Sequence, residues 1–155
     1  MLEMRLSVDE SNVLQDAVFF EKKAAIDVKI AANFKRMNKG IREMTMAAAL
    51  PPSILASSGR LYKGNQFQHY LPWQASDAIR SFAGEDLFCF RAVMIWGKPF
   101  SFNLVIGGKW LETFLPLLTA NQRALEAAGF HFSLQDNPWD VSYTHLRAHE
   151  TSLHL

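Results

Sequence analysis

The sequence predicts an α+β fold, made of a long N-terminal helix, an aromatic loop, an antiparallel β-hairpin, a further helix and a further strand. Two patterns carry this prediction. From residue 9 to about residue 36, apolar side chains recur mostly at steps of three and four, which is the period of a helix with one apolar face. From 87 to 106, two segments rich in aromatic and β-branched residues flank Gly97-Lys98-Pro99, as hairpin strands flank their turn.

The predicted long helix has a clear start. Ser7 or Asp9 can accept hydrogen bonds from its first backbone N–H groups, so either residue can cap it. Asn38-Lys39-Gly40 is expected to break the helix. A second helical piece would then run from Ile41 to Leu50 and end at Pro51-Pro52, since proline lacks a backbone donor.

Residues 51 to 76 are predicted to be irregular, because proline, glycine and serine mark turns there. The aromatic residues of this segment indicate a loop that packs onto another part of the protein. The stretch SDAIRSF is expected to make a short helical turn with Ser76 as its cap. The aromatic residues of the loop are Tyr62, Phe67, Tyr70 and Trp73.

The register of the hairpin follows from its apolar faces. These faces match if Trp96 lies opposite Phe100, with a five-residue loop from Trp96 to Phe100, whereas a slip of one residue would mix them. The apolar face of the first strand holds Phe90, Ala92, Met94 and Trp96, and that of the second strand holds Phe100, Phe102, Leu104 and Ile106. The side chains expected on one buried face are Phe90, Met94, Phe102 and Leu104.

After the hairpin, the chain is predicted to be helical from Trp110 to Ala128. The residues 130 to 134, FHFSL, alternate as a strand does, and QDNPWD is expected to turn. The signals inside the helical segment are an interruption near Pro116, a second start at Thr119 or Asn121 and a stop at Gly129.

The composition argues against several classes of protein. The chain has 155 residues with 16 Lys and Arg against 15 Asp and Glu, so its net charge of +1 implies no general attraction to nucleic acid or anionic lipid. A membrane span needs about 20 residues almost free of charge, and no signal peptide opens the chain. Cys89 is the only cysteine, which fits a reducing compartment. We therefore expect a cytoplasmic protein with no nucleic-acid and no membrane partner.

The C-terminal tail, residues 141–155, holds three of the five histidines. His145 and His149 are four residues apart, as in a helical zinc pair. This motif needs a glutamate directly after its first histidine, but Leu146 occupies that position here. The stretch VSYTHLRAHET, residues 141–151, resembles the translation of a transposase adapter used to build sequencing libraries. The resemblance implies a non-native tail, no metal site, and a single truncated α+β domain over residues 1–140.

Residues 59–110 carry a second resemblance. A loop with glycine and tyrosine, a Leu-Pro step, an Asp-x-x-Arg, and an aromatic strand with Phe-Arg and Trp-Gly follow one another there. This pattern resembles a group of bacterial proteins of unknown function, and it implies no activity. The matching residues are Tyr62, Gly64, Tyr70, Leu71, Pro72, Asp77, Arg80, Phe90, Arg91, Trp96 and Gly97.

Arg91 is the most informative polar residue of the hairpin. Its strand face is otherwise apolar, and a guanidinium in such surroundings needs an acceptor because burying it unpaired is costly. One interpretation is a structural ion pair, with Asp77 as the expected partner and Glu85 or Asp86 as alternatives. The other is a site for a small anionic ligand, held by the planar fork of guanidinium donors.

We expect a small binding or interaction domain, with the loop 61–73 over the Arg91 side of the hairpin as its binding face and no cofactor. The partner would be a small anionic ligand or a protein. One alternative is an enzyme of unknown chemistry that uses His69, Asp77 and Arg91, which a deep pocket holding Arg91 and His69 would favour. Another is a structural partner protein that uses the helix 9–36, which an exposed apolar stripe on that helix would favour. The candidate binding residues are Tyr62, His69, Tyr70, Asp77, Arg80, Arg91 and Asn103.

Overall fold

The computed structural model describes residues 5–48, 50–57, 59–67 and 70–132. It confirms the α+β class, with helices before and after four strands. The chain divides into two compact units, Met1–Thr113 and Phe114–Leu155, which we describe separately. The helices are α1 (Val8–Gln15), α2 (Ala17–Ala47), α3 (Pro52–Leu55), α4 (Lys109–Ala120) and α5 (Gln122–Ala127). The strands are β1 (Arg60–Phe67), β2 (Leu71–Ala83), β3 (Asp86–Ile95) and β4 (Ser101–Ile106).

The first helix begins where the sequence predicts. The Ser7 hydroxyl accepts a hydrogen bond from the backbone N–H of Glu10 at 3.2 Å, and the Glu10 carboxylate accepts one from the N–H of Ser7 at 2.8 Å. This reciprocal arrangement is a capping box, which satisfies two backbone donors that have no partner inside the helix. The hydrogen bonds to Ser7 lower the pKa of the Glu10 carboxyl.

The helix is interrupted at Asp16 and not at the predicted Asn38-Lys39-Gly40. Asp16 leaves helical geometry, with φ −77° and ψ 76°, and its carboxylate accepts a hydrogen bond from the N–H of Phe19 at 2.8 Å. This contact caps the start of α2. The apolar pattern of the sequence continues through Asp16 and does not reveal this cap.

α2 then runs for 31 residues through Gly40, so the expected break and the separate helix from Ile41 to Leu50 are wrong. A glycine inside a helix costs about 1 kcal/mol relative to alanine. Tertiary packing offsets this cost, because Ile30 and Phe34 of α2 are buried in the core.

The four strands form one antiparallel sheet in the order β1-β2-β3-β4. The segment predicted as an irregular aromatic loop is therefore mostly β1 and the first half of β2. The helical turn predicted for residues 76–82 is also wrong, because those residues lie in the middle of β2. β2 has a hydrogen-bonded neighbour on each side, and it forms against the local preferences of its serine and aspartate residues.

Gly64 of β1 lies directly opposite Trp73 of β2. A Cβ atom on Gly64 would lie 2.7 Å from Cε2 of the Trp73 indole, which is closer than real Cβ atoms approach their neighbours. Glycine therefore leaves the space that the indole occupies, as an aromatic side chain packed over a strand glycine requires.

The predicted hairpin is confirmed, and its five-residue loop runs from Trp96 to Phe100 as expected. The register differs from the prediction by two residues, because Ala92 lies opposite Phe102. A shift of two residues keeps the same side chains on the same face of each strand. The division of the hairpin into two faces is therefore correct although the pairing is not.

One face of the sheet packs against α2, with Ile30 and Phe34 against Ala92 and Met94. Phe102 lies on the same sheet face, yet it is 57% exposed, and Leu104 is 47% exposed. The expectation that these two side chains are buried is wrong. A helix about 10 Å wide covers about two strands spaced about 4.8 Å apart, and α2 leaves β4 uncovered.

Asp27 attaches the N-terminal half of α2 to the sheet. Its Oδ1 atom accepts hydrogen bonds from Gln74 Nε2 at 2.9 Å and from Trp96 Nε1 at 3.1 Å, and its Oδ2 atom accepts one from Lys23 Nζ at 2.7 Å. Burial raises the pKa of this carboxyl, but the hydrogen bonds from Lys23, Trp96 and Gln74 together lower it below its ordinary value.

The first turn of α4 is joined to the start of β3. Asp86 accepts a hydrogen bond from the Lys109 backbone N–H at 2.9 Å, and the Lys109 ammonium lies 2.7 Å from the other carboxylate oxygen. These hydrogen bonds lower the pKa of the Asp86 carboxyl. Trp110, the next residue, is buried.

The remaining helical segment departs from the prediction in one detail. Pro116 lies inside α4 without interrupting it, and the break comes at Asn121, one of the two predicted restart positions. The stop at Gly129 is confirmed, because Gly129 has φ +83° and the N–H groups of Gly129 and Phe130 donate back to Glu126 and Leu125.

The later C-terminal expectations are only partly covered by the structure. Phe130, His131 and Phe132 belong to no strand, whereas the rest of the predicted strand, the predicted turn and the tail 141–155 lie outside the described residues. Within the described part of the chain, no helix is long and apolar enough to cross a membrane.

Candidate functional site

Asp77 and Arg91 form an ion pair across β2 and β3. The strand register sets the two residues directly opposite each other, and Arg91 Nε and Nη2 donate to Asp77 Oδ1 and Oδ2 at 2.6 and 2.8 Å. The Asp77 side chain is fully buried, and 20% of the Arg91 side chain is exposed. The predicted carboxylate partner of Arg91 is confirmed. Two parallel hydrogen bonds make this a strong form of the arginine–carboxylate contact.

Tyr62 of β1 lies beside the ion pair and contacts Arg91. The Arg91 guanidinium carbon lies 5.5 Å from the centre of the Tyr62 ring, and that of Arg60 lies 5.0 Å from it, within the range of a cation–π contact. Burial and the negative charge of Asp77 raise the pKa of the Tyr62 hydroxyl. Burial alone would lower the pKa of Arg91, but the hydrogen bonds and charge of Asp77 raise it, so Arg91 remains a cation.

Cys89 lies on the same face of β3 and is fully buried. Burial, followed by the nearby charge of Asp77, raises the pKa of the Cys89 thiol to about 12. The thiolate is the nucleophilic form of cysteine, so Cys89 is unreactive at neutral pH.

Arg80 joins this group from the far side of an irregularity in β2. The pairing of β2 with β3 shifts between Asp77 and Ile79, which places Arg80 opposite Cys89. Its guanidinium carbon lies 4.7 Å from the centre of the Phe82 ring. Its Nε atom is buried and has no hydrogen-bond acceptor among the described residues. An unsatisfied buried donor is uncommon and needs an explanation.

The other predicted binding residues do not all lie in this cluster. Asn103 lies opposite Arg91 in β4, and its amide donates to the Ser101 hydroxyl at 3.1 Å. Tyr70 is exposed at the turn between β1 and β2, and His69 lies outside the described residues. Tyr62 contacts Arg91 from β1, across β2, and not from a covering loop.

This cluster consists of a structural ion pair with additional positive charges around it. Asp77 and Arg91 neutralise each other, and Cys89 is held protonated. Among the described side chains of the cluster, none is an activated nucleophile. The guanidinium groups of Arg60 and Arg80 add two positive charges around the single Asp77 carboxylate.

Two hollows lie elsewhere on the first unit. One, of about 240 Å³, lies between α2 and the neighbouring ends of β1 and β2, with Asp27, Lys63 and Trp96 in its lining. The other, of about 430 Å³, is an open apolar hollow that includes Val13, Leu14 and Phe20. Neither hollow is lined by Arg91.

The second hollow belongs to a larger apolar surface on α1 and the first turns of α2, residues 6–28, which we call the helical arm. No residue of α1 is buried. Val8 is 77% exposed and Val28 is 70% exposed. The large apolar side chains that the arm exposes are Leu6, Val8, Val13, Leu14, Val18, Phe19, Phe20, Ile26 and Val28.

The three- and four-residue steps of apolar residues predict this part of the helix but do not show which of its side chains are buried. Among the described residues none before Ile30 is buried, and the residues of α2 that contact the sheet include Asp27, Ile30, Phe34 and Asn38. Most of the arm therefore precedes the part of α2 that packs on the sheet. The charges of the segment are the available signal, because Glu21, Lys22 and Lys23 interrupt its apolar pattern.

Comparison of the chain with protein-family models, with curated proteins and with solved structures finds no match.

Proposed function

We propose that the protein is a protein-interaction domain whose binding surface is the helical arm. The observation that carries this proposal is the row of nine large apolar side chains that the arm leaves exposed between Leu6 and Val28. Four of these side chains, Leu6, Val13, Leu14 and Phe20, line one apolar hollow. Exposed apolar patches mark interaction sites in folded proteins, whereas scattered single residues do not.

The local structure of the arm supports the same proposal. α1 has eight residues, and an isolated helix of that length is marginal in water. Its start is fixed by the Ser7–Glu10 capping box, and the start of α2 is fixed by Asp16. The caps therefore hold apolar side chains in a defined arrangement in solvent, which lowers the entropy cost of binding a partner.

Site-specific photocrosslinking tests this proposal. We would replace Val18 by p-benzoylphenylalanine in the full chain, irradiate the expressing cells and identify the covalent adducts. The matched control carries the same residue at Gln66, which is exposed in β1. We expect discrete adducts from position 18 and none from position 66, whether the captured protein is another protein or a second copy of this chain.

A further variant separates specific binding from general stickiness. The substitutions Val13→Asp and Leu14→Asp remove apolar surface from the arm without touching the crosslinking position. Adducts that disappear with this change support the arm as the binding surface. Equal adducts from positions 18 and 66, or adducts that persist in the Asp variant, would rule the proposal out.

A second candidate function is the binding of a small anion at the arginine side of the sheet, defined by Arg60, Arg80 and Arg91. The buried Nε atom of Arg80, which lacks an acceptor among the described residues, favours it. A phosphate or carboxylate oxygen is the acceptor that a guanidinium prefers. The enzyme alternative, with His69, Asp77 and Arg91, has no comparable support, because Asp77 occupies two donors of Arg91.

Thermal unfolding in inorganic phosphate tests the anion site. A ligand at ten times its Kd stabilises a folded protein by about 1.4 kcal/mol, which raises Tm by a few degrees. We expect this rise in the wild type and in Lys63→Gln, an exposed control, and its loss in Arg80→Gln. An equal rise of Tm in all three proteins would show a general salt effect and would rule out the anion site.

A further inference from the structure

The sheet carries an uncovered apolar groove beside α2. Phe100, Phe102 and Leu104 lie on the sheet face that α2 covers elsewhere, and each is about half exposed. The ring of Phe34 on α2 lies 6.4 Å from the ring of Phe100, edge to face, and forms the boundary between covered and uncovered surface. We call the surface formed by these three residues of the hairpin the β4 groove.

The groove offers space for one helix at the edge of the sheet. α2, about 10 Å wide, packs over the central strands β2 and β3 and leaves the edge strand β4 uncovered beside it. A helix laid on β4 would extend past the edge of the sheet and would also contact the side of α2. The groove needs large apolar side chains as its partners, and the helical arm exposes such side chains.

The charges of the chain select an orientation for such a helix. Between positions 6 and 21 the arm has four acidic residues, Asp9, Glu10, Asp16 and Glu21, and no basic residue. Between positions 29 and 42, α2 has five basic residues, Lys29, Lys35, Arg36, Lys39 and Arg42, and no acidic residue. Two copies of α2 placed antiparallel set the acidic start of each against the basic half of the other, which is favourable.

From these observations we infer that the partner of the helical arm is a second copy of this chain. The arm of each copy lies in the β4 groove of the other, beside the basic half of α2, and a twofold axis relates the two contacts. This inference rests on the proposed function, since it names the partner of the same surface. A twofold arrangement in which each copy gives and receives the same contact closes the assembly at two copies.

The available area is sufficient for a stable dimer. The nine exposed apolar side chains of the arm and the three of the groove present on the order of 1,000 Å² of apolar surface in each copy. A specific interface of standard size buries about 800 Å² per partner. The groove and the arm together reach this range, whereas the groove alone does not.

Sedimentation velocity over a range of protein concentrations tests the inference, with wild type, an arm variant and a groove variant. The arm variant is Val13→Asp with Leu14→Asp, and the groove variant is Phe102→Asp. We expect wild type to be a dimer, and each variant to dimerise at least tenfold more weakly. The substituted side chains are exposed, so circular dichroism should remain that of wild type, and so should Tm at a concentration at which wild type is monomeric. If Phe102→Asp lowers the Tm of the monomer, the milder Phe102→Ser takes its place.

Mixing the two variants distinguishes the exchange from nonspecific association. The arm variant keeps an intact groove and the groove variant keeps an intact arm, so one of the two contacts forms in a mixed pair. We expect the mixture to associate more tightly than either variant alone, and the association to weaken as salt screens the charges. A mixture no better than its components would overturn the exchange.

The outcomes also separate this inference from the proposed function. If wild type is a monomer and position 18 still crosslinks to a different protein, the inferred dimer is wrong and the proposed interaction function is retained. A monomer without adducts from position 18 would overturn both. Adducts of position 18 with a second copy, together with a dimer that the arm variant weakens, support both.

Discussion

Asp77 and Arg91 are 14 residues apart in the chain, and the hairpin of β2 and β3 sets them opposite each other with two hydrogen bonds between their side chains. The carboxylate is fully buried, and the guanidinium is mostly so. Loss of one partner leaves the other charged and largely shielded from water, and the energetic effect of the pair is therefore largest when half of it is removed.

We predict that Asp77→Asn lowers the free energy of unfolding by about 3 kcal/mol, because Arg91 then lacks its counter-charge. Arg91→Lys should also destabilise, since an ammonium does not reproduce the two parallel hydrogen bonds. Urea unfolding measures both. The control is Glu43→Gln, which removes an exposed pair with Lys39 and should change little. Near-normal stability in Asp77→Asn and Arg91→Lys, with lost anion binding, would instead identify a ligand site.

A second prediction concerns Asp27, which holds Lys23, Gln74 and Trp96 through one carboxylate. Its pKa is lowered in the folded protein, so it stabilises the fold above the ordinary aspartate pKa, and this stabilisation is lost as the pH falls through the lowered value. Asp27→Asn should cost about 1–2 kcal/mol at pH 7, as expected for hydrogen bonds to a charged group.

The pH dependence gives the check on this assignment. The difference in unfolding free energy between wild type and Asp27→Asn should shrink between pH 5 and pH 2, because wild type then loses the charge that the variant never had. A constant difference over this range would show that the charge of Asp27 contributes nothing.

Two glycines provide a matched pair of substitutions with opposite signs. Gly64→Ala places a methyl group against the Trp73 indole and should destabilise the protein by about 1–3 kcal/mol. Gly40→Ala meets no atom within 4 Å and lies inside α2, so it should stabilise by about 0.5–1 kcal/mol. Thermal unfolding of the two variants measures both effects. A destabilising Gly40→Ala would indicate that α2 is not continuous through this position.

The buried thiol of Cys89 predicts a loss of stability at alkaline pH. Its pKa is raised to about 12 in the folded protein, whereas an exposed thiol ionises near pH 9. The unfolded chain releases the proton first, so stability is complete below pH 9 and falls as the pH rises above it. Between pH 8 and pH 10, wild type should lose about 1.4 kcal/mol more than Cys89→Ala. Equal losses in the two proteins would show an accessible thiol.

The elements that the sequence predicts well are those with a clear period or a strict chemical demand. The three- and four-residue steps predict most of α2, and the alternation of Phe90, Ala92 and Met94 predicts β3. The need of Arg91 for an acceptor predicts Asp77, because burial of an unpaired guanidinium is costly wherever the acceptor lies in the chain.

The failures have a common physical origin in contacts distant along the chain. β2 contains Ser76 and Asp77, which favour turns locally, and both are fully buried because Asn38 and Arg91 supply their hydrogen bonds. The exposure of Phe102 depends on how many strands one helix covers. The exposure of the helical arm depends on which part of α2 packs on the sheet. None of these quantities is encoded in a short window of sequence.

The order β1-β2-β3-β4 also has a kinetic consequence. Every strand pairs with its neighbour in sequence, so the sheet closes only short loops, and proteins with mostly local contacts fold quickly. The contact that is distant in sequence is the docking of α2, where Asp27 meets Trp96 across 69 residues. Forming it requires closure of a long loop, which has an entropy cost, so we expect this contact to form late in folding. The indole of Trp96 would then join α2 to a sheet whose strands have already paired.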